Sequence, residues 1–341
     1  MYKISIYLSL FLVVGLCAVN SSDVQAKDPV KIIYDTDMGN DIDDVFALTM
    51  LNNLQKRGEL DFLAITITKD NKYAAPYCQM IDTFYQNPNV PIGIVKESGV
   101  TADDGKYLRQ SLEAKDENGA PMFPFFDLAN DKTKYYEATE LLRKTLAEQE
   151  DNSVVIAQVG FSTNLARLLD SPADKYSPLP GRELAAKKVK YLVAMAGNFV
   201  ERHKEYNIVN DVPAAQKVFS EWPTPIYVSG FEVGREIHMT GATMKNDYDY
   251  VKYHPVKEAF KYYRGTLDSE QCTWDLTTVL FAARQDRGYF DLTEPGEITV
   301  DQEGYTTFEA KPDGKAKYFK VNREQIVRIQ EAFEWLCSEK L

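Results

Sequence analysis

The chain has 341 residues, with 51 Asp and Glu against 39 Lys and Arg, for a formal charge of -12. That balance excludes a nucleic-acid polyanion as partner, because no basic patch offsets the repulsion. Its 4 cysteines are widely spaced, which argues against a disulfide framework and leaves room for at most an incidental bridge.

Residues 1–26 read as a secretory signal peptide. Lys3 gives a weakly positive start, Ile4 to Val19 is largely apolar, and Val24-Gln25-Ala26 has small residues at a cleavage position. An uncleaved anchor is the alternative, for which the apolar run is short. Lipid attachment at Cys17 is another, poorly served by Leu16. Such a leader fits export from a bacterial cytoplasm, most simply to the periplasm. Residues 27–341 then form a single domain with no further span, repeat or low-complexity linker.

The first strand, Val30–Tyr34, runs into Asp35-Thr36-Asp37-Met38-Gly39-Asn40-Asp41-Ile42-Asp43-Asp44, five carboxylates in ten residues. So many like charges between a strand and the helix Val45–Gln55 are costly unless a cation compensates them. The sequence therefore predicts a metal site of hard oxygen ligands. Further strands are expected at Leu63–Thr68, Val90–Val95, Val154–Val159, Val189–Ala196 and Pro225–Ser229, all nearly continuously apolar. Helices are expected at Tyr77–Tyr85, Tyr136–Glu148 and Thr163–Leu169. This alternation predicts an α/β fold: an open, mainly parallel sheet with helices on both faces. Two long connections interrupt it, a Pro- and Phe-rich stretch from Lys96 to Asn130 and a tyrosine-rich one from Gly234 to Cys272. Each reads equally as a lid or as a packed excursion. Glu297–Val300, Tyr305–Ala310 and Ala316–Val321 then predict a small antiparallel meander near the C-terminus. A closing helix capped by Asn322 runs to Trp335.

Each parallel strand ends in polar residues: the acidic run, Thr68-Lys69-Asp70-Asn71, Gly160-Phe161-Ser162-Thr163-Asn164, Gly197-Asn198-Phe199 and Gly230-Phe231-Glu232. A parallel sheet places these ends on one rim, where open α/β folds bind ligands. One polar strand end means little; several on one rim make a site.

At these residues the chain resembles the nucleoside hydrolases, which cleave the N-glycosidic bond of ribonucleosides. Asp35-Thr36-Asp37-Met38-Gly39 followed by Asp43-Asp44 is similar to their opening motif. Val159-Gly160-Phe161-Ser162-Thr163-Asn164 resembles their Thr-Gly-Pro-Leu-Thr-Asn segment, and Glu205-Tyr206-Asn207-Ile208 their Glu-Phe-Asn segment. Trp274-Asp275 stands where they usually have His-Asp. The resemblance implies that Asp37, Asp44 (bidentate), Asp275 and the Val159 carbonyl hold a Ca²⁺, whose oxygen shell is completed by a ribose diol and a water. Asp37 would also be the general base on that water. Asp43, Asn71, Asn198, Glu205 and Asn207 would hold the sugar, and Asp35 would support the cluster. The implied partner is a small-molecule riboside, and the resemblance points to a homo-oligomer.

Two departures stand out. Three residues, Asn40-Asp41-Ile42, separate Gly39 from Asp43 where the family motif has one, so Asp41 competes with Asp43 and Asp44 for the metal; we favour the latter two because they adjoin the helix. Trp274 replaces a histidine that can protonate the departing base. An indole can stack on a base or line the pocket, but it is no acid. His203, a loop tyrosine or a water would have to serve, or the leaving group needs no proton, or hydrolysis is weak. Of His203, His238 and His254, none has metal-ligand spacing with another. The rivals are a non-catalytic periplasmic riboside-binding protein on the same fold and a haloacid-dehalogenase-type phosphatase, suggested by Asp35-Thr36-Asp37 alone.

Overall fold

The computed structural model describes residues 28–96, 100–101, 105–130 and 134–341. The expected signal peptide, residues 1–26, lies outside the described residues. Ten strands are labelled here: β1 (Val30–Thr36), β2 (Leu60–Ile67), β3 (Ile92–Ile94), β4 (Tyr136–Glu137), β5 (Val154–Gln158), β6 (Val189–Met195), β7 (Ile226–Ser229), β8 (Gly296–Val300), β9 (Thr306–Ala310) and β10 (Ala316–Lys320). They lie in the order β9-β8-β10-β7-β6-β5-β1-β2-β3-β4, with Asp291–Leu292 added against β10. Every pairing from β10 to β4 is parallel. The expected C-terminal antiparallel strands are continuous with this sheet, since β8 pairs antiparallel with β9 and β10 runs parallel beside β7.

Alternation along each strand builds two cores, because successive side chains leave opposite faces. Ile32 and Tyr34 of β1 join one core, with α1 (Asp43–Lys56), α2 (Ala74–Phe84), α6 (Pro255–Arg264), α7 (Asp275–Arg284) and α8 (Arg323–Cys337). Ile33 joins the other, with α3 (Ala138–Glu148), α4 (Thr163–Asp170) and α5 (Val212–Glu221). Both faces being covered explains why the strands read as unbroken apolar runs. The closing helix α8 starts as expected: Asn322 and Gln325 form a reciprocal capping box. Among the described residues, no helix is long and apolar enough to cross a membrane.

Parts of both long connections, among the described residues, pack against the domain. Val100–Thr101 pairs with Lys69–Asp70, a short helix spans Leu108–Leu112, and Phe123 is buried. The tyrosine-rich stretch holds a strand pair, His238–Met239 with Gln271–Cys272, and helix α6. His254 caps α6 through Val256 N–H, and burial pushes its pKa down to about 3.

The chain order decides where a ligand sits. From β1 the strands step outward through β2, β3 and β4; the chain then returns to β5 beside β1 and steps the other way. β1 and β5 therefore flank the point where the order reverses, and a crevice opens beyond their carboxyl ends.

Candidate active site

A cavity of about 310 Å³ opens at that point. One wall is acidic, made by Asp37, Asp41, Asp43 and Asp275; Val159, Met195, Glu205 and Asn207 lie deeper; Tyr206, Phe231, Tyr263 and Trp274 form an aromatic wall, with Asn40 and Lys106 also lining it.

The end of β1 is held by its neighbours. Asp35, fully buried, accepts from Thr66 Oγ1 at 2.5 Å and Asn164 Nδ2 at 2.8 Å, tying β1 to β2 and α4. Burial raises its pKa to about 7. Val159 and Gly160 N–H groups both donate to the Asp35 carbonyl, at 2.7 and 3.1 Å. Residue 160 must be glycine here, because a Cβ would lie 2.6 Å from the Asp37 nitrogen.

Each aspartate of the cluster has a different environment. Asp37 Oδ2 accepts from Asn40 Nδ2, and Asn40 Oδ1 in turn accepts from Lys69 Nζ and, at 3.3 Å, from Tyr206 OH. Burial, then the Asp41 charge, pushes Asp37 up to about 8, while Lys69 pulls it down. Asp44 lies fully buried, with Thr36 Oγ1 donating to its Oδ1. Asp43 Oδ2 accepts the backbone N–H groups of Trp274 (2.8 Å) and Asp275 (3.1 Å), so it caps α7 from 231 residues away. Burial first, and then neighbouring carboxylates, raise Asp43, Asp44 and Asp275 well above the usual carboxylate range.

The buried oxygens Asp35 Oδ2, Asp43 Oδ1 and Asp44 Oδ2 have no hydrogen-bond partner. Carboxylate oxygens of Asp41, Asp43 and Asp275 lie within 4.8 Å of one another. Partnerless buried carboxylate oxygens are costly, and this all-oxygen donor set suits a hard divalent cation. The residues fit a metal.

On the sugar side, Glu205 spends its carboxylate on backbone: Oε1 accepts from Asn207 N–H (2.8 Å), Oε2 from Gly197 (3.0 Å) and Ile208 (3.1 Å). Burial still raises it to about 7. Asn207 Nδ2 donates to the Val159 carbonyl at 2.7 Å.

The aromatic wall is layered. Trp274 stacks on Phe231 at 5.4 Å, and its Nε1 donates to the Phe231 carbonyl at 2.9 Å. That indole N–H is already spent. Gly234 allows this approach, since a Cβ there would sit 2.4 Å from Trp274 Cα. His203 packs on Phe231 at 4.5 Å and is not among the lining residues.

Of the residues singled out in the sequence, Asp37, Asp43, Val159, Glu205, Asn207, Trp274 and Asp275 line the cavity, while Asp44, Asn71 and Asn198 do not. Asn71 Oδ1 accepts from Tyr73 N–H at 2.7 Å. Asn198 Oδ1 accepts from Val200 and Glu201 N–H groups, and its buried Nδ2 has no partner. Asn40, Lys69, Lys106, Tyr206, Phe231 and Tyr263 carried no individual role in the sequence reading. Lys69 and Phe231 do stand at polar strand ends, a signal that marks the rim without giving the partner.

The family model for inosine-uridine preferring nucleoside hydrolases matches residues 32–329. Among solved structures, a plant nucleoside hydrolase is similar over 90% of this chain and 99% of its own, at 19% identity and TM-score 0.65. A purine-preferring ribonucleoside hydrolase from Gardnerella vaginalis has the same coverage and TM-score at 16% identity. The type III effector protein XopQ complexed with adenosine diphosphate ribose matches 91% of this chain and 92% of its own, at 15% identity and TM-score 0.60. No curated protein matches the chain in sequence.

Proposed function

We propose, from the premise that the chain belongs to the inosine-uridine preferring nucleoside hydrolase family, that it hydrolyses the N-glycosidic bond of a ribonucleoside or related riboside outside the cytoplasm. The observation that carries this reading is the cavity itself. Buried carboxylates and aromatic side chains line one cavity at the reversal point of the sheet, a lining suited to a ribose and a flat leaving group.

Asp37, Asp44, Asp275 and the Val159 carbonyl would hold Ca²⁺. Bound there, the ion supplies Lewis acidity toward a water and the ribose diol. Asp37 is the base that removes a proton from the attacking water. Its Oδ2 is steadied by Asn40, so Oδ1 takes the proton. A divalent cation beside it would favour the ionised carboxylate that a base requires. Asp43 and Asn207 line the cavity and position the sugar, with Glu205 holding Asn207 in place through its backbone N–H. Asn71 and Asn198 lie outside the lining and act at most through their neighbours. The acidic wall stabilises the positive charge that develops on the ring as the bond breaks. Trp274 offers a stacking face to the base and no proton, because its N–H is bound to Phe231. The hydroxyls lining the cavity belong to Tyr206 and Tyr263. Tyr206 OH already donates to Asn40 Oδ1 and burial raises the pKa of the Tyr263 phenol, so a leaving group that needs no proton suits this cavity best.

Ribose release from a panel of ribonucleosides, with and without chelator, tests the proposal. Release that chelation or Asp37→Ala leaves unchanged would overturn the mechanism. A second reading, a binder without turnover, draws support from the spent Trp274 N–H. Tight riboside binding by calorimetry with no product after long incubation would favour it.

A further inference from the structure

The two residues that lengthen the motif, Asn40 and Asp41, occupy separate positions in the site. Asn40 engages Asp37 Oδ2 and links it to Lys69. Asp41 turns into the cavity wall. We propose that Asp41 is itself a ligand of the divalent cation, completing a three-carboxylate set with Asp43 and Asp275. This inference rests on the reading that a cation binds at this rim; it adds Asp41 to the ligands and moves Asp43 from the sugar to the ion, with Asp275 common to both sets.

Three observations support it. Carboxylate oxygens of Asp41, Asp43 and Asp275 approach within 4.8 Å of one another. Asp43, only 1% exposed, has given Oδ2 to the amides of α7 and is left with Oδ1 buried and without a donor. An oxygen so placed among other carboxylates is satisfied by a cation, or without one by a proton shared with Asp41. Finally, the inserted turn is anchored. Tyr107 OH donates to the Asp41 carbonyl at 2.9 Å, and Gly39, at φ +117°, lets the turn pack on Leu108, where a Cβ would come within 2.5 Å of Leu108 Cδ1. Holding the backbone of Asp41 from the Leu108–Leu112 helix reduces the entropy lost when its carboxylate binds an ion.

The test uses the full mature chain and reads binding directly. Ca²⁺ affinity is measured by calorimetry. Tb³⁺, excited through Trp274 beside Asp275, reports its inner-shell water count from luminescence lifetimes in H₂O and D₂O. Asp41→Asn should weaken Ca²⁺ binding by at least about tenfold and add about one water to bound Tb³⁺, the exchange expected for one lost monodentate ligand. Asp41→Glu should recover part of the affinity. Asp70→Asn, which removes an exposed charge from the same rim, should leave the water count unchanged. An unaltered water count in Asp41→Asn would reduce Asp41 to a through-space charge and sink the assignment. If the unsubstituted chain binds neither ion, the metal reading itself fails, and this assignment falls with it.

Discussion

The two walls of the cavity are built by different rules. The acidic wall grows from the ends of β1 and α7, and Asp37, Asp43 and Asp275 are each at most 5% exposed. Hydrogen bonds hold Asp37 through Asn40, Asp44 through Thr36 and Asp43 through the α7 amides. The aromatic wall is mixed: Phe231 follows β7 and Trp274 precedes α7, while the rest comes from longer connections. Tyr206 is 52% exposed, Lys106 is exposed, and Tyr263 comes from the tyrosine-rich excursion. Rigid strand ends can position a reacting centre to within fractions of an ångström, whereas loops vary without disturbing the sheet. Under the proposed function, the buried strand and helix ends hold the reacting centre, and the more exposed residues Tyr206, Lys106 and Tyr263 choose the leaving group.

Substitutions on the two walls should therefore differ in kind. Asp37→Ala should have the largest effect, lowering kcat for ribose release by about 10³-fold, within the range for loss of a positioned general base. A loss confined to KM would break the contrast, because the acidic wall would then only bind. Chelation should abolish most of the turnover. It should also lower Tm, since a ligand held at about 100 times its Kd stabilises the fold by about 2.7 kcal/mol. Differential scanning fluorimetry with Ca²⁺ added back checks this without any activity assay. Trp274→Ala should be milder, costing about fivefold and chiefly in KM, as expected for a stacking contact worth about 1 kcal/mol. A deeper loss in kcat would assign the indole to the chemistry and undo the distinction between the walls.

The same division governs what could be read in the sequence. Strand and helix positions were legible because burial on both faces forces unbroken apolar runs, and because Asn322 and Gln325 carry a local capping signal. The acidic rim was legible because five carboxylates lie within one short segment. What joins distant segments was not. Nothing local reveals that Asp43 receives the amides of Trp274 and Asp275, or that the Trp274 N–H is consumed by the Phe231 carbonyl. Glu205, read as a sugar contact, gives its oxygens to three backbone amides, a geometry that only the turn after β6 creates. Asn40 looked like filler in an insertion until Lys69 came to face it from the end of β2.

Asp82 offers the smallest effect on turnover and a control for the acidic wall. It is as deeply buried as Asp44, lies in α2 away from the cavity, and accepts a single side-chain bond, from Asn52 Nδ2 at 2.7 Å. Burial alone pushes its pKa up to about 8, with Asn52 pulling the other way. Folding therefore favours its protonated form. The stability tied to Asp82 is fully present below the unfolded pKa near 4 and is lost as pH rises through about 8. Asp82→Asn removes that titration while keeping the acceptor for Asn52. It places an amide nitrogen where Oδ2 already lacks a partner, at a cost of about 1 kcal/mol. Below pH 4 the variant should thus be slightly less stable than the parent, and by pH 9 more stable by an amount on the order of a few kcal/mol. Urea midpoints across that range measure the crossing, while kcat and the Ca²⁺ response stay unchanged. A flat difference would mean that Asp82 titrates with the same pKa in the folded and unfolded states. Burial by itself would then not explain the raised carboxyls of the acidic wall, and their repulsion for one another would have to supply the larger part.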